Sequence, residues 1–190
     1  MTIKLGKKVP FVWTKKGQQV PHVGQLVHGK GVHVWAGISW NGPTGIIIWD
    51  SKCRMDGNFY CKNIIPEVIK SGQRLFDGEY QLVQDNHPAH VSAATMDVIE
   101  ENNIQLFPHP PQSPDFNAIE FLWRDLKIVR DKINPRTKAE LVQLIIKFWK
   151  TKVTPSYCRT LIRHACKNIE RSFDGLNHEK DTPTNKIYHH

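Results

Sequence analysis

Two short segments of the chain contain carboxylates beside residues that favour turns and helix starts. The first is QDNHPAH at residues 84–90, which contains Asp85, and the second is SPDFNAIEFLW at residues 113–123, which contains Glu120. Carboxylate oxygens are the ligands that Mg²⁺ prefers, and a few of them on rigid elements suffice to hold the ion. Together the two segments predict a divalent-metal site if the fold brings them to one place.

Each carboxylate also has a simpler interpretation. Asp85 could cap or turn the chain before a helix whose first residue is Pro88. Glu120 could form a surface ion pair with Arg124, which lies four residues later in the favourable orientation. Local sequence leaves both interpretations open.

The elements around the two carboxylates would direct them towards a common cleft. The run EYQLVQD at residues 79–85 predicts a short strand, and the carboxyl end of a strand is where open α/β sheets bind ligands. Ser113 and Pro114 predict the cap and first turn of a helix. On that helix Glu120 lies roughly 120° from the centre of the apolar stripe, at the border of the buried face.

The remaining pattern predicts a layered α/β domain followed by helices. The runs at residues 32–40 and 45–52 predict a β-hairpin that turns at Asn41-Gly42-Pro43. Helical spacing is present over residues 57–71, and a short strand is predicted at 104–108. Further along, Thr137 and Glu140 form a capping box before a helix, and Thr154-Pro155 opens a last helix that is predicted to end near Gly175.

Charge is distributed in blocks along the chain. Residues 1–49 carry a net +6 and residues 124–171 a net +9, whereas residues 50–123 carry −6. Basic surfaces bind polyanions by releasing counterions, and clustered carboxylates can hold metal, so this alternation favours a nucleic-acid partner. Lys and Arg that merely solvate helix faces are the alternative for any one block. The cations that we assign to DNA binding are Lys15, Lys16, Lys30, Arg124 and Lys127.

The two segments taken together resemble Tc/mariner-type transposases. With 34 residues between Asp85 and Glu120, the chain follows the pattern strand-QDN-x-P-x-H and then SPD-x-N-x-IE-x-LW. That family has a ribonuclease-H-like catalytic domain with three metal-binding carboxylates, the DDE triad. By this resemblance Asp85 matches the second Asp of the triad and Glu120 the third carboxylate. The supporting motif positions are matched by Asn86, His90, Asp115 and Asn117.

The resemblance implies a DDE endonuclease that cuts and transfers DNA strands during transposition. Two Mg²⁺ ions, for which Mn²⁺ can substitute, would activate a water or a 3′-hydroxyl and stabilise the leaving oxygen. DNA is then the expected partner and the nucleus the expected location, and a homodimer is left open. The implied fold is a ribonuclease-H-like mixed sheet flanked by helices, with C-terminal helices and an N-terminal basic arm.

The sequence departs from the family where the first Asp of the triad is expected. Trp13 matches a family position that shortly follows this Asp, yet residues 1–12 contain no carboxylate, and the first acidic residue is Asp50, which we assign to a turn. We therefore expect a catalytic core at 32–133 that lacks its first strand, without a DNA-recognition domain before it. The chain is expected to be inactive as it stands, and a non-enzymatic nucleic-acid-binding remnant is the alternative. The other expected segments are a basic arm or hairpin at 1–31, a helical extension of the same domain at 134–178 and a polar tail at 179–190.

Other site classes are less well supported. A zinc site using His87, His90 and His109 is an alternative, but Pro88 separates the first two at a turn and no cysteine lies near in sequence. No apolar run approaches the roughly 20 residues that span a bilayer. The cysteines are predicted to be free and to pack as small apolar residues, buried or partly buried; they are Cys53, Cys61, Cys158 and Cys166.

Overall fold

The computed structural model describes residues 1–5, 31–107 and 117–180. Its larger sheet is antiparallel, in the order β1-β2-β3, with β1 at Thr2–Lys4, β2 at Gly31–Ser39 and β3 at Gly42–Asp50. The predicted hairpin is confirmed, because β2 and β3 pair along nearly their whole length. The turn is shorter than predicted and consists of Trp40 and Asn41, since Gly42 (φ 136°) already belongs to β3.

A second, parallel sheet contains two short strands, β4 (Gln81–Val83) and β5 (Gln105–Phe107). Both lie inside the predicted strands, and helix α3 (Ala93–Glu101) forms the crossover that a parallel pair requires. The prediction that this helix begins at Pro88 is wrong. The Ser92 side chain accepts a hydrogen bond from the Thr95 amide at 3.3 Å, and this cap starts the helix at Ala93.

The helical region predicted over residues 57–71 has three parts. These are α1 (Gly57–Phe59), a π-helical turn (Tyr60–Ile64) and α2 (Ile65–Phe76). Pro66 does not break the helix: it follows the π-helical turn directly, as the second residue of α2, and the chain stays helical across it. The helix therefore extends five residues beyond its predicted end.

Three longer helices complete the described chain: α4 (Ala118–Ile133), α5 (Lys138–Lys152) and α6 (Pro155–Lys180). Thr137 caps α5 by accepting from the Glu140 amide at 3.1 Å, as the capping box predicts. The Glu140 carboxylate accepts from the amide of Arg136 at 2.8 Å, one residue before the cap. Helix α6 continues past Gly175, so its predicted end there is wrong. No helix of the described residues is long and apolar enough to cross a membrane.

The larger sheet separates two hydrophobic clusters because successive residues of β2 point to opposite faces. Val32, Val34 and Ala36 pack with α4, α5 and α6 in the first cluster. Trp35 of β2 and Ile47 of β3 contact the second cluster, which contains buried residues of the π-helical turn, α2 and α3. The result is a helix–sheet–helix layering, in agreement with the predicted α/β class.

The first residues of the chain form a strand, although residues 1–31 are predicted to be an arm or hairpin. Strand β1 pairs with Gly31–His33 of β2, and the Met1 amino group donates to the Val34 carbonyl at 2.9 Å. Residues 6–30 lie outside the described part of the chain. Beyond Val34, no strand among the described residues pairs with this edge of β2, and β4 pairs with β5 alone. A cleft opens between β2 and β4 as a consequence.

The four cysteines are free, as predicted, but only two of them are shielded from solvent. Cys158 is buried and Cys61 is half-buried, whereas Cys53 and Cys166 are exposed. Cys53 lies just after β3, and Cys166 is on the face of α6 that borders the cleft, so neither has a hydrophobic layer above it.

Candidate functional site

Asp85 lies two residues after β4, at the carboxyl end of the strand, as the sequence predicts. Its side chain is 63% exposed, and Oδ1 lies 2.8 Å from Nδ1 of His90. The His87 amide donates to the same oxygen at 3.3 Å. The hydrogen bond from His90 is the main cause that lowers the pKa of the Asp85 carboxyl, and partial burial opposes it. Asp85 is thus held as a carboxylate with oxygen lone pairs still open to solvent.

The His90 imidazole is buried beneath Asp85, and its Nδ1 faces two acceptors. Nδ1 also lies 3.1 Å from the Asp85 carbonyl oxygen, and since both neighbours are acceptors, Nδ1 carries the hydrogen. Nε2 is buried without a hydrogen-bond partner among the described residues. The ring packs 4.5 Å from the ring of Tyr60, whose hydroxyl donates to Gln84 Oε1 at 2.7 Å. Burial raises the pKa of the Tyr60 hydroxyl, so it remains a donor.

Glu120 lies in the first turn of α4 and is exposed. The helix begins at Ala118 because the Asn117 side chain accepts from the Ile119 amide at 3.3 Å. The predicted start at Ser113 and Pro114 is therefore wrong for α4. The side chain of Arg124 contacts Asp125 at 3.5 Å and lies over the Phe121 ring at 5.4 Å, so the simpler interpretation of Glu120 as its ion-pair partner has no support.

Asp85 and Glu120 line one cleft, which also contains Met1, His90 and Asn117. Burial lowers the pKa of the Met1 amino group, while the carboxylates of Glu120 and Asp85 both act to raise it, so both lie close enough to interact with it. The cleft has a volume of about 1490 Å³, larger than the roughly 300–1,000 Å³ of pockets for small molecules. Glu79 lines it too, but it precedes β4 whereas Asp85 follows this strand.

No group of three or more His, Cys, Asp or Glu side chains suited to a metal ion occurs within residues 1–5, 31–107 and 117–180. Asp85 and Glu120 therefore do not belong to such a group in this part of the chain. The rings of His87 and His90 are 5.3 Å apart, and burial is the main cause that lowers the pKa of His87. The third histidine of the zinc alternative, His109, lies outside the described residues.

The other predicted site residues divide into described and undescribed positions. Asn86, Arg124 and Lys127 are exposed, and Lys127 acts to lower the pKa of the Met1 amino group, which locates it near the cleft. Asp115, Lys15, Lys16 and Lys30 lie outside the described residues. Asp50, assigned to a turn from the sequence, ends β3 instead and forms an ion pair with Lys138.

Sequence reasoning missed Tyr60 and Gln84, which pack or hydrogen bond beneath Asp85. Tyr60 is 24 residues from Gln84 and belongs to a π-helical turn, so no local motif joins the two. The only available signal was that Gln84 directly precedes Asp85 in the first segment.

Comparison with known proteins places these residues in a family context. Residues 1–142 match the family model described as DDE superfamily endonuclease. The chain is similar to the transposable element Tc3 transposase of Caenorhabditis elegans, with 32% identity over 138 residues, which are 71% of this chain and 41% of that protein. The chain therefore spans less than half the length of this curated relative.

The fold is similar to that of Mos1 transposase. One structure, the Mos1 paired-end complex with left transposon end, has a TM-score of 0.68 at 18% identity and covers 87% of this chain and 51% of its own. A second, the Mos1 mariner paired end complex with Mn, has a TM-score of 0.70 at 17% identity, and the match covers 90% of this chain and 51% of the Mos1 chain. These similarities confirm a ribonuclease-H-like α/β fold. The single mixed sheet expected from the sequence is not present among the described residues, where the antiparallel sheet and the parallel sheet are separate.

Proposed function

Because this chain belongs to the DDE superfamily endonucleases, in their Tc/mariner transposase branch, we propose that it forms a DNA-cleaving and strand-transferring domain with Asp85 and Glu120 as metal ligands. The observation that carries this proposal is their convergence on one cleft. Asp85 follows a strand of the smaller sheet, and Glu120 lies in the first turn of a helix that packs on the larger one. A surface ion pair or a turn residue has no need of such convergence.

The chemistry of the two side chains fits Mg²⁺ or Mn²⁺. Both ions prefer oxygen ligands, and both carboxylates are exposed in the cleft. The hydrogen bond from His90 lowers the pKa of Asp85, so the side chain is ionised at neutral pH and ready to accept a cation. When bound, the metal ions would polarise the phosphodiester and stabilise the charge that develops on the attacking and leaving oxygens.

The protein groups around the carboxylates would orient the substrate. The loop after β4 and the first turn of α4 set the directions from which Asp85 and Glu120 approach, and in-line attack depends on such positioning. Arg124 and Lys127 lie one and two helical turns after Glu120 and are exposed. They would bind phosphates of DNA that enters the cleft. Since DNA would be the substrate, we also propose that the protein acts in the nucleus, which a fluorescent fusion would test.

We further propose that the 190-residue chain alone does not cleave DNA. Two metal ions need more ligands than Asp85 and Glu120 offer, and the described residues provide no third carboxylate at this end of the cleft. Residues joined before Met1 in extended conformation would continue β1 along the unpaired edge of β2. Side chains alternate between the two faces of a strand, so the second residue before Met1 would point to the same face as Met1. On that face Met1 packs against the first hydrophobic cluster, which contains residues of α4.

A nuclease assay on four proteins tests the function. The proteins are the 190-residue chain, the chain with a strand bearing Asp at that second position, the same fusion with Glu120→Gln and the same fusion with Asp85→Asn. With supercoiled plasmid and Mg²⁺ or Mn²⁺, nicking is expected only from the fusion with Asp85 and Glu120 intact. A fusion that nicks equally well with Glu120→Gln, or with Asp85→Asn, would contradict the assignment of these carboxylates. Circular dichroism of all proteins controls for folding.

A further inference from the structure

A cationic surface lies at the tip of the β2–β3 hairpin, where it meets α6. It consists of Trp40, Arg159 and Arg163, and we refer to it as the Trp40 corner. The Trp40 side chain is 46% exposed although it is large and apolar. The guanidinium carbons of Arg163 and Arg159 lie 5.0 Å and 5.9 Å from the centroid of its ring. Arg159 Nε also donates to the Trp40 carbonyl at 3.0 Å.

The positive charge of this corner is not neutralised within the described part of the chain. Residues 141–169 contain six Lys or Arg and no Asp or Glu. The ion pairs of the described residues involve other cations, so neither arginine has a carboxylate partner there. Arg163, Lys167 and Arg171 recur at every fourth residue of α6 and are exposed. Glu170 is exposed on the same side and is the one acidic residue between positions 163 and 171, so the net charge of this side is positive.

The corner is connected to the candidate metal site through α6. The side of this helix that contains Ile162 and Cys166 lines the cleft. His164, the residue after Arg163, packs edge-on against Phe121 at 4.6 Å, and Phe121 directly follows Glu120. A chain of contacts thus runs from Glu120 across α6 to Arg163.

We propose that the Trp40 corner binds the phosphodiester backbone of DNA, as a sequence-independent contact beside the cleft. This inference rests on the proposed function and adds residues that neither motif contains. A guanidinium beside an indole can turn a planar N–H edge outward, and such an edge matches the two oxygens of a phosphate. In Arg159 the Nε–H already donates to the Trp40 carbonyl, so its terminal Nη groups are left for this contact. Since neither arginine pairs with a carboxylate among the described residues, the two positive charges are available to an external anion. The exposed indole offers an apolar contact to the sugar.

Measurement of DNA affinity at several salt concentrations tests this contact. The variants are Arg159→Gln/Arg163→Gln, which removes two charges, and Lys62→Gln/Lys70→Gln, a matched control. The control lysines are exposed on the π-helical turn and α2, on the opposite face of the larger sheet. The probe is a fluorescent 30-base-pair duplex, and thermal unfolding of each variant controls for folding.

For the arginine variant we expect the slope of log affinity against log salt to fall by about two, since each phosphate contact contributes roughly 0.9. If a contact contributes nothing to the affinity at 1 M salt, the same slope gives a loss of affinity of roughly eight-fold per contact at 0.1 M salt. The control should keep the wild-type affinity within about two-fold. Arg159→Lys/Arg163→Lys should keep the slope while losing some affinity, because it retains charge without the planar edge.

The outcomes separate the contact from the function on which it rests. The proposal would be overturned if Arg159→Gln/Arg163→Gln bound DNA as the lysine control does. The two arginines would then serve only to pack the hairpin against α6. The proposal would also be overturned if Arg159→Lys/Arg163→Lys reduced the salt slope as much as Arg159→Gln/Arg163→Gln does. The positive charge of the two residues would then not be the cause of the salt dependence. A wild-type chain that binds no duplex at any salt concentration would refute DNA binding and this contact together.

Discussion

Replacement of His90 by phenylalanine or by asparagine separates its hydrogen bond to Asp85 from the packing of its ring. Phenylalanine keeps a planar ring beside Tyr60, 4.5 Å away in the wild type, but removes the Nδ1–H donor. Asparagine loses the ring but has an N–H donor at about the same distance from Cβ as Nδ1. If His90 positions the Asp85 carboxylate for metal, the asparagine variant should bind metal better than the phenylalanine variant.

The expected magnitude follows from the contact. A hydrogen bond to a charged group contributes about 1.5–3 kcal/mol when water is excluded. The Asp85 side chain is 63% exposed, so water competes for it, and we take about 1 kcal/mol as the loss. That corresponds to roughly five-fold in an equilibrium constant. His90→Phe should therefore weaken Mn²⁺ binding about five-fold, and His90→Asn by less than about two-fold.

Electron paramagnetic resonance of free Mn²⁺ measures these affinities on the 190-residue chain, with Asp85→Asn as the low-affinity reference. Urea unfolding of each variant shows whether the core is intact. Wild-type affinity in His90→Phe would refute the positioning role. Equal weakening in both variants, together with equal losses of stability, would show that His90 acts through packing against Tyr60 and not through Asp85.

Three further predictions concern the same region. Asn117→Ala should lower the free energy of unfolding by about 1 kcal/mol in urea titrations, because α4 loses its cap, whereas Asn117→Asp should retain it. Trp149→Phe removes the indole donor to the Thr44 carbonyl at 3.2 Å, and a loss of about 1–2 kcal/mol should lower the melting temperature by roughly 2–8 °C in calorimetry. The pKa of Asp85 is lowered, so its charge stabilises the fold above about pH 4 and loses this effect as pH falls through the folded pKa. The stability of the wild type relative to Asp85→Asn should accordingly decrease as the pH falls below about 4; a difference that grows with acidity would contradict the sign.

Local patterns were sufficient to predict the elements whose determinants are close in sequence. The hairpin follows from two β-rich runs around a turn, and the start of α5 from a capping box between Thr137 and Glu140. Helix starts were less certain where several caps compete. Pro88 and Ser92 are both plausible first-turn signals, and the buried contacts of Thr95 with Ser92 and Ala89 favour the later start.

The candidate site was predictable only in part, because its two motifs identify residues but not their surroundings. The positions of Asp85 after a strand and Glu120 on a helix follow from the segments themselves. The buried Nε2 of His90 and its contact with Tyr60 depend on the packing of a π-helical turn against the loop after β4, which no short-range periodicity encodes. The Trp40 corner was equally hidden, since 119 residues separate Trp40 from Arg159.

The two hydrophobic clusters on opposite faces of the larger sheet have a consequence for local unfolding. Asp85 follows β4, whose Leu82 packs against the second cluster, whereas Glu120 lies on α4 in the first. Segments with separate cores can open separately, each with its own free energy of opening. A cation bound by both carboxylates would be released when either segment opens. At ten times its dissociation constant it would therefore add about 1.4 kcal/mol to both openings. Amide hydrogen exchange in α3 and α4 should then slow by a similar factor, roughly ten-fold, when Mn²⁺ is added. A bound metal would in this way couple the local unfolding of two otherwise separate cooperative units.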